Sequence, residues 1–352
     1  MQEVSNTHMR AKFVAGVAGL CAIVVTLALI SGHLFVPPSQ AALHIQPHTA
    51  LQTANSLTPH TSPTASHHAS SNSSQEKLRD MLSTLHYLHG PDGWAWNTSL
   101  SAHRLLAFYG NPLSDVMGPI GQYGDNQLMA KLQEQAAAYA QLDPTHPVIP
   151  ALDYVTPVVQ PVPMKDNSWV YRMPRASVEH YIQLANDHHA LFFFDMQVGH
   201  STVQKEVDLV WDYLQRPGVD LSLDPEFDMP PGAIPDEVFG RMTATEINGV
   251  IDRLSTLVQT HHLPPKILII HQFRLDMLPD WQKIHLKPGV QIVTCVDGFG
   301  TPGEKIDDYR IFDKQQLIQY PGMKLFYRLD KPLMPPSAVL ALDPPPMLVM
   351  YQ

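Results

Sequence analysis

Beyond residue 75 the chain alternates short apolar runs with segments whose apolar side chains recur at helical spacing. The run LFFF at 191–194 and the run ILII at 267–270 are apolar at every position, which is typical of parallel strands covered on both faces. The pattern predicts strands at 104–110, 147–155, 190–197, 219–227, 266–273, 290–297, 323–329 and 347–352.

Helical periodicity appears between these runs, at 126–142, 174–188, 243–262 and, more briefly, 336–342. Thr243 followed by Glu246 is a capping-box signature at the start of the third segment. Eight strands with interleaved helices predict a (β/α)8 TIM-like barrel. An open doubly wound sheet is the rival, but no Gly-rich phosphate turn follows the first strand.

Residues 75–89 carry an apolar stripe at helical spacing, ahead of the first predicted strand. The last predicted strand has no helix after it in the sequence. We therefore expect the 75–89 helix to fill the eighth helical position of the barrel.

The N-terminal region has a different pattern. Residues 13–30 are uncharged and mostly apolar, and a helix of this length reaches roughly 27 Å, close to a bilayer core. Arg10 and Lys12 precede the segment, and no Lys or Arg lies between 31 and 76, which predicts a cytoplasmic N-terminus. Residues 1–36 therefore read as a retained single-pass anchor. A cleaved signal peptide, which would release a secreted protein, is the alternative.

Residues 37–74 are rich in Ser, Thr, Pro, Ala and His, without a sustained period. Such a segment buries too little apolar surface to offset its ordering entropy, so it is predicted to be a disordered linker. The predicted organisation is an anchor at 1–36, a linker at 37–74 and one barrel domain at 75–352.

Charge and cysteine content narrow the function classes. The net charge is −10, from 23 basic and 33 acidic residues, and no basic run follows the anchor, so nucleic acid is not a predicted partner. Cys21 lies in the anchor and Cys295 in an apolar run, so no disulfide framework is expected.

The predicted strands end repeatedly in polar residues. In a barrel of this class the active site lies at the C-terminal ends of the strands. We therefore predict catalytic roles for Glu226, Asp224, Asp195 and Asp297. Substrate-binding roles are predicted for His271, Gln272, Asp153, Tyr109, Gln197 and Gln352.

The Asp224-Pro225-Glu226 triplet is the sharpest local signal. At strand spacing its two acids would point to the same side, and crowded carboxylates raise the pKa of one of them. The triplet resembles the Asp-x-Glu of chitinase-type and family-25 lysozyme-type glycoside hydrolases. That resemblance implies Glu226 as general acid and Asp224 as its partner. The chain departs from those families in having Ser222, Val219 and Tyr109 where they carry further aspartates.

A wider resemblance covers most of the barrel domain. The phrases FYGNP at 108–112, LDPEF at 223–227, HQF at 271–273 and VDGFG at 296–300 resemble those of an uncharacterised family of exported bacterial proteins. That family implies no particular activity.

The favoured prediction is an extracytoplasmic, membrane-tethered barrel that acts on an envelope or extracellular carbohydrate by carboxylate acid/base chemistry. No metal and no cofactor are predicted. One alternative is a metal-dependent hydrolase of phosphoesters or amides, and another is a barrel that binds carbohydrate without catalysis.

Overall fold

A closed barrel of eight parallel strands forms the centre of the protein. The structure is a computed structural model that describes residues 99–352. The barrel strands are β1 Arg104–Gly110, β2 Val148–Val155, β5 Leu191–Met196, β6 Val219–Leu223, β7 Lys266–Gln272, β8 Val290–Val296, β9 Tyr320–Leu325 and β10 Leu348–Tyr351. A small antiparallel hairpin of β3 Val158–Val159 and β4 Val170–Tyr171 interrupts the series between β2 and β5.

Barrel closure comes from pairing of the last strand with the first. Each barrel strand pairs in parallel with the next barrel strand along the chain, and β10 returns to β1 with Leu105 opposite Leu348. The predicted TIM-like barrel is thereby confirmed, and the open doubly wound sheet is excluded.

The strands are apolar on both faces because two separate cores use them. Leu191 and Phe193 of β5 pack inside the barrel with Ile267 and Ile269 of β7. The alternate residues of β5, such as Phe192, belong to the outer core between the barrel and the helices. This double burial is the physical origin of the continuous apolar runs in the sequence.

Helices surround the barrel at α1 Pro119–Gln122, α2 Asp125–Leu142, α3 Arg175–Asp187, α4 Val203–Leu209, α5 Trp211–Leu214, α6 Ala244–His261, α7 Pro302–Gln316 and α8 Pro336–Leu340. The four helices predicted within residues 99–352 are all present, and α6 begins at the predicted capping box of Thr243 and Glu246. Sequence periodicity did not find α7, which is polar over most of its length. Its own capping box, formed by Thr301 and Glu304, was the available signal.

Two predicted strands were too long at their C-terminal ends. The strand predicted at 219–227 ends at Leu223, and Pro225–Phe227 forms a 3₁₀ turn instead. Pro225 has no N–H to donate to a neighbouring strand, so the ladder cannot continue through it. The strand predicted at 323–329 likewise ends at Leu325.

Several predictions lie outside the described residues. These are the anchor within 1–36, the linker at 37–74 and the helix at 75–89. Within 99–352, no helix is long and apolar enough to cross a bilayer.

A buried lysine on α7 ties together the loops that follow β8 and β9. Lys305 is 1% exposed, and its ammonium donates to the backbone carbonyls of Gly298 and Lys324. Asp330 lies 3.7 Å from the same ammonium and accepts hydrogen bonds from the backbone N–H groups of Gly300 and Phe326. One buried ion pair therefore holds two chain segments at the C-terminal end of the barrel.

We expect Lys305→Met to destabilise the protein by about 3 kcal/mol, because it leaves Asp330 as a buried charge without its cation. Chemical denaturation at neutral pH measures the loss. Lys314→Met, at an exposed position of the same helix, is the control and should change the free energy of unfolding by less than about 0.5 kcal/mol. Equal effects of the two substitutions would contradict this role of Lys305.

Candidate active site

Polar side chains form the uppermost layer inside the barrel, at the C-terminal ends of the strands. Side chains alternate along a strand, so Asp195 points inward two residues after Phe193, and His271 points inward two residues after Ile269. Asp153 reaches the same layer from β2, where it is opposite Tyr109 in the register with β1. Closure of the barrel thus gathers side chains from distant parts of the sequence.

The imidazole of His271 is the centre of this layer. Its Nε2 lies 3.6 Å from an oxygen of Asp153 and 3.5 Å from an oxygen of Asp195. On the other side of the ring, Nδ1 lies 3.3 Å from Asp297 and 4.0 Å from Asp224. We call His271 and these four aspartates the His271 cluster, with Asp153 and Asp195 as its inner pair and Asp224 and Asp297 as its outer pair.

Most oxygens of the cluster have no hydrogen-bond donor among residues 99–352. Both carboxylate oxygens of Asp153 and of Asp195 are buried without a partner, as is one oxygen of each member of the outer pair. Buried polar groups are normally hydrogen-bonded, because desolvation without a partner costs on the order of 1–3 kcal/mol for each group. Unpaired acids on this scale are typical of a functional site rather than of a packed core.

Asp224 differs from the inner pair because two side chains orient it. The Tyr109 hydroxyl donates to one Asp224 oxygen at 3.4 Å, and the Gln197 amide donates to the same oxygen at 3.3 Å. Gln197 is itself held by the backbone N–H of Val159, which donates to its carbonyl oxygen at 3.1 Å. One Asp224 oxygen is thus fixed, and the other faces the cluster.

Glu226 lies at the rim of the cluster, within the 3₁₀ turn Pro225–Phe227. It therefore does not reach the site by strand alternation from Asp224, as the sequence had predicted. Its backbone carbonyl accepts from the N–H of Gly240, a position where any Cβ would lie 2.2 Å from the Asp228 carbonyl oxygen. The Glu226 side chain is 5% exposed, and one of its carboxyl oxygens is buried with no donor in the described part of the chain.

Burial and mutual repulsion change the proton affinities of the cluster. Burial first, and then the charges of Asp224 and Asp297, raise the pKa of Glu226 well above its ordinary value. The same two causes, burial followed by repulsion from Asp224, raise the pKa of Asp195. Burial alone lowers the pKa of His271, but attraction to the aspartates, Asp224 foremost, outweighs it and the net direction is upward.

Lys324 is a cation of the site that sequence reasoning missed. It is 3% exposed on β9, and its ammonium lies 3.4 Å from the centre of the Tyr109 ring, a cation–π contact. Burial opposes its charge, but Asp297 and the other acids raise the pKa of Lys324 above its usual range. A lysine inside an apolar strand was the available signal, since a buried Lys requires a partner.

The structure brings together eight of the ten predicted site residues, namely Tyr109, Asp153, Asp195, Gln197, Asp224, Glu226, His271 and Asp297. Gln272 follows His271 in β7, so it points to the outer face, where its amide donates to Gln316 of α7 at 2.7 Å. Gln352 follows β10. Its backbone N–H donates a hydrogen bond to the carbonyl of Leu325, and its backbone carbonyl accepts one from the N–H of Tyr327.

The cluster has two chemical capacities. Carboxyl groups with different environments can divide acid and base roles between them. The same groups can also bind a cation, because potential ligand atoms of His271 and the inner pair lie within 4.8 Å of one another, as do those of His271 and the outer pair. Comparison with family models and with curated proteins finds no match to this chain.

A second acid pair lies behind Glu226. Asp228 is hydrogen-bonded to Glu246, and burial, followed by repulsion from Glu246, raises the pKa of Asp228 to about 7. Glu246 also accepts from the backbone N–H of Thr243 at 2.8 Å, as the acidic member of the α6 capping box. Protonated Asp228 therefore links the turn that carries Glu226 to the start of α6.

We expect stability to fall as pH rises from about 4 to about 7. Unfolded Asp228 releases its proton near pH 4, whereas the folded protein holds it until about pH 7. The Asp228 contribution to the free energy of unfolding is therefore lost as the pH rises across that window. The Asp228 contribution is on the order of 2–4 kcal/mol. Asp228→Asn should remove this part of the decline, as measured by denaturation at pH 5, 6 and 7.5. Asp115→Asn, at a carboxylate that is 71% exposed, is the control. Parallel pH profiles for Asp228→Asn and the wild type would rule out the assignment.

Proposed function

We propose that this chain is a glycoside-hydrolase-like enzyme that cleaves carbohydrate at the C-terminal mouth of the barrel, with Glu226 as general acid. One observation carries the proposal: Glu226 stands at the rim of the buried acid cluster with an unpaired carboxyl oxygen, next to a second carboxylate that two side chains orient. Glycoside hydrolysis requires two carboxyl groups that differ in this way.

The two acids of the triplet have unequal surroundings. Asp224 accepts hydrogen bonds from Tyr109 and Gln197, which fix its orientation, whereas Glu226 is buried beside like charges, which raises its pKa and favours its protonated form. A protonated Glu226 can donate to the departing glycosidic oxygen. Asp224 or Asp297 can then stabilise the positive charge that develops on the sugar ring or activate a water.

The proposed setting of this chemistry is outside the cytoplasm. Its support is the uncharged segment at 13–30, with Arg10 and Lys12 before it and the polar linker after it. A single-pass anchor would hold the barrel near the cell surface, where its substrate would be an envelope or extracellular polysaccharide.

A metal-dependent hydrolase of phosphoesters or amides is the second candidate. The observation in its favour is the spacing of the two ligand groups around His271. A divalent cation there would polarise a phosphoryl or carbonyl oxygen.

We expect Glu226→Gln to lower glycoside hydrolysis by two to four orders of magnitude, the usual range for general acid catalysis. The wild type is first screened on a panel of aryl glycosides and polysaccharides to identify a substrate. Rates of the wild type and the variant are then measured at saturating concentrations of that substrate. The loss should be largest for sugar leaving groups and small for dinitrophenyl glycosides, because an acidic leaving group needs little protonation.

Glu237→Gln is the matched control, since this exposed glutamate lies in the same loop. A uniform loss across all leaving groups would assign Glu226 a role other than proton donation. Sugar binding without turnover by the wild type would identify a non-catalytic barrel, and a fully active Glu226→Gln protein would end the proposal.

A further inference from the structure

The proposed acid chemistry assigns no role to His271 or to the inner pair of its cluster. Asp153, Asp195 and His271 are each 0% exposed, below the rim that Glu226 occupies. All four oxygens of the inner pair lack a donor within residues 99–352, and Nε2 of His271 makes no hydrogen bond there. Substrate at the rim does not account for these groups.

The cluster and its neighbours contain more acidic than basic groups at this depth. With every group ionised, the four aspartates of the cluster and Glu226 would face the imidazolium of His271 and the ammonium of Lys324. The excess is three negative charges in a dry interior, where an uncompensated ion costs several kcal/mol. Protons can offset part of this excess, but a bound divalent cation also provides partners for the orphaned oxygens.

We propose that Asp153, Asp195 and Nε2 of His271 bind one divalent transition-metal ion. The distances of 3.6 and 3.5 Å from Nε2 to the inner pair are long for direct N–H···O hydrogen bonds. Two atoms that share an ion at about 2.1 Å and a tetrahedral angle stand about 3.4 Å apart. The two distances from Nε2 therefore match those between ligands of one ion, and the three ligand atoms all lie within 4.8 Å of one another.

His271 is oriented to serve the inner pair rather than the outer one. Nδ1 lies 3.3 Å from Asp297, so a proton on Nδ1 points to that carboxylate and the Nε2 lone pair points to the inner pair. A carboxylate that accepts the other ring N–H is the usual support of a metal-bound histidine. Asp224, in contrast, already accepts from Tyr109 and Gln197.

The donor set selects the type of ion. One imidazole nitrogen with two carboxylates suits Zn²⁺ or Mn²⁺, whereas Ca²⁺ and Mg²⁺ prefer oxygen ligands alone. Three protein ligands leave room for a water or substrate atom at the remaining vertex. The favoured prediction from the sequence included no metal, although a metal-dependent hydrolase was its alternative, and the site does not depend on the glycosidase proposal.

Metal binding by the full chain, purified in detergent and stripped with a chelator, tests this inference. We expect calorimetry with Zn²⁺ or Mn²⁺ to show one tight site per chain. Asp153→Asn and Asp195→Asn should each weaken it at least 10- to 100-fold. Added metal should raise the melting temperature of the wild type and raise that of both variants by clearly less at the same metal concentration.

The control is Asp220→Asn, a buried aspartate at the opposite end of the barrel interior, where its carboxylate accepts from the N–H of Ile267. This variant should bind metal like the wild type. Circular dichroism establishes that each variant is folded. Unchanged affinity in folded Asp153→Asn or Asp195→Asn, or less than about 0.1 equivalent in the wild type, would overturn the site.

X-ray absorption of the Zn²⁺-loaded wild type gives an answer that needs no variant. The expected spectrum has one imidazole and oxygen neighbours near 2.0 Å. Several imidazoles would assign the ion to other histidines of the chain, and a sulfur neighbour would assign it to a cysteine. Either spectrum would refute the proposed ligands.

Discussion

Attraction between the His271 imidazole and the aspartates that surround it is the interaction on which the mouth of the barrel depends. Four carboxylates reach the ring from four different strands or strand ends, at distances of 3.3 to 4.0 Å. Without a positive charge at their centre, these acids would repel one another in a medium that screens charge poorly. The geometry of the site is therefore set by electrostatics as much as by the backbone.

The rest of the fold provides the rigidity that such a cluster requires. Below it, the barrel is filled with apolar side chains such as Phe193 and Ile269, which exclude water from the underside of the acids. Above it, the Lys305–Asp330 pair holds the loops after β8 and β9, and Gly240 allows the turn with Glu226 to approach its neighbour closely. A site assembled at this cost in stability is typical of function, because packing alone would select apolar residues.

Depth divides the acids into two groups with different chemical prospects. Asp153 and Asp195 are fully buried, and their carboxylate oxygens accept no hydrogen bond from the described residues, which suits a bound cation. Glu226 and Asp297 stand nearer to solvent, which suits proton transfer to a substrate. The Tyr109–Gln197–Asp224 network lies between them, and its Tyr109 and Gln197 side chains both donate to Asp224.

The sequence by itself predicted the barrel and most of the residues that the structure gathers at its mouth. Continuous apolar runs such as the one ending at Asp195 reveal strands buried on both faces, and strand ends in such a barrel must converge. Tertiary structure alone decided which way side chains point: His271 and Gln272 are adjacent, yet one faces the cluster and the other faces α7. It also added Lys324, which local pattern could not relate to acids on other strands. Local periodicity records burial along one segment, whereas unpaired charge and ligand geometry arise only when distant segments close around a common axis.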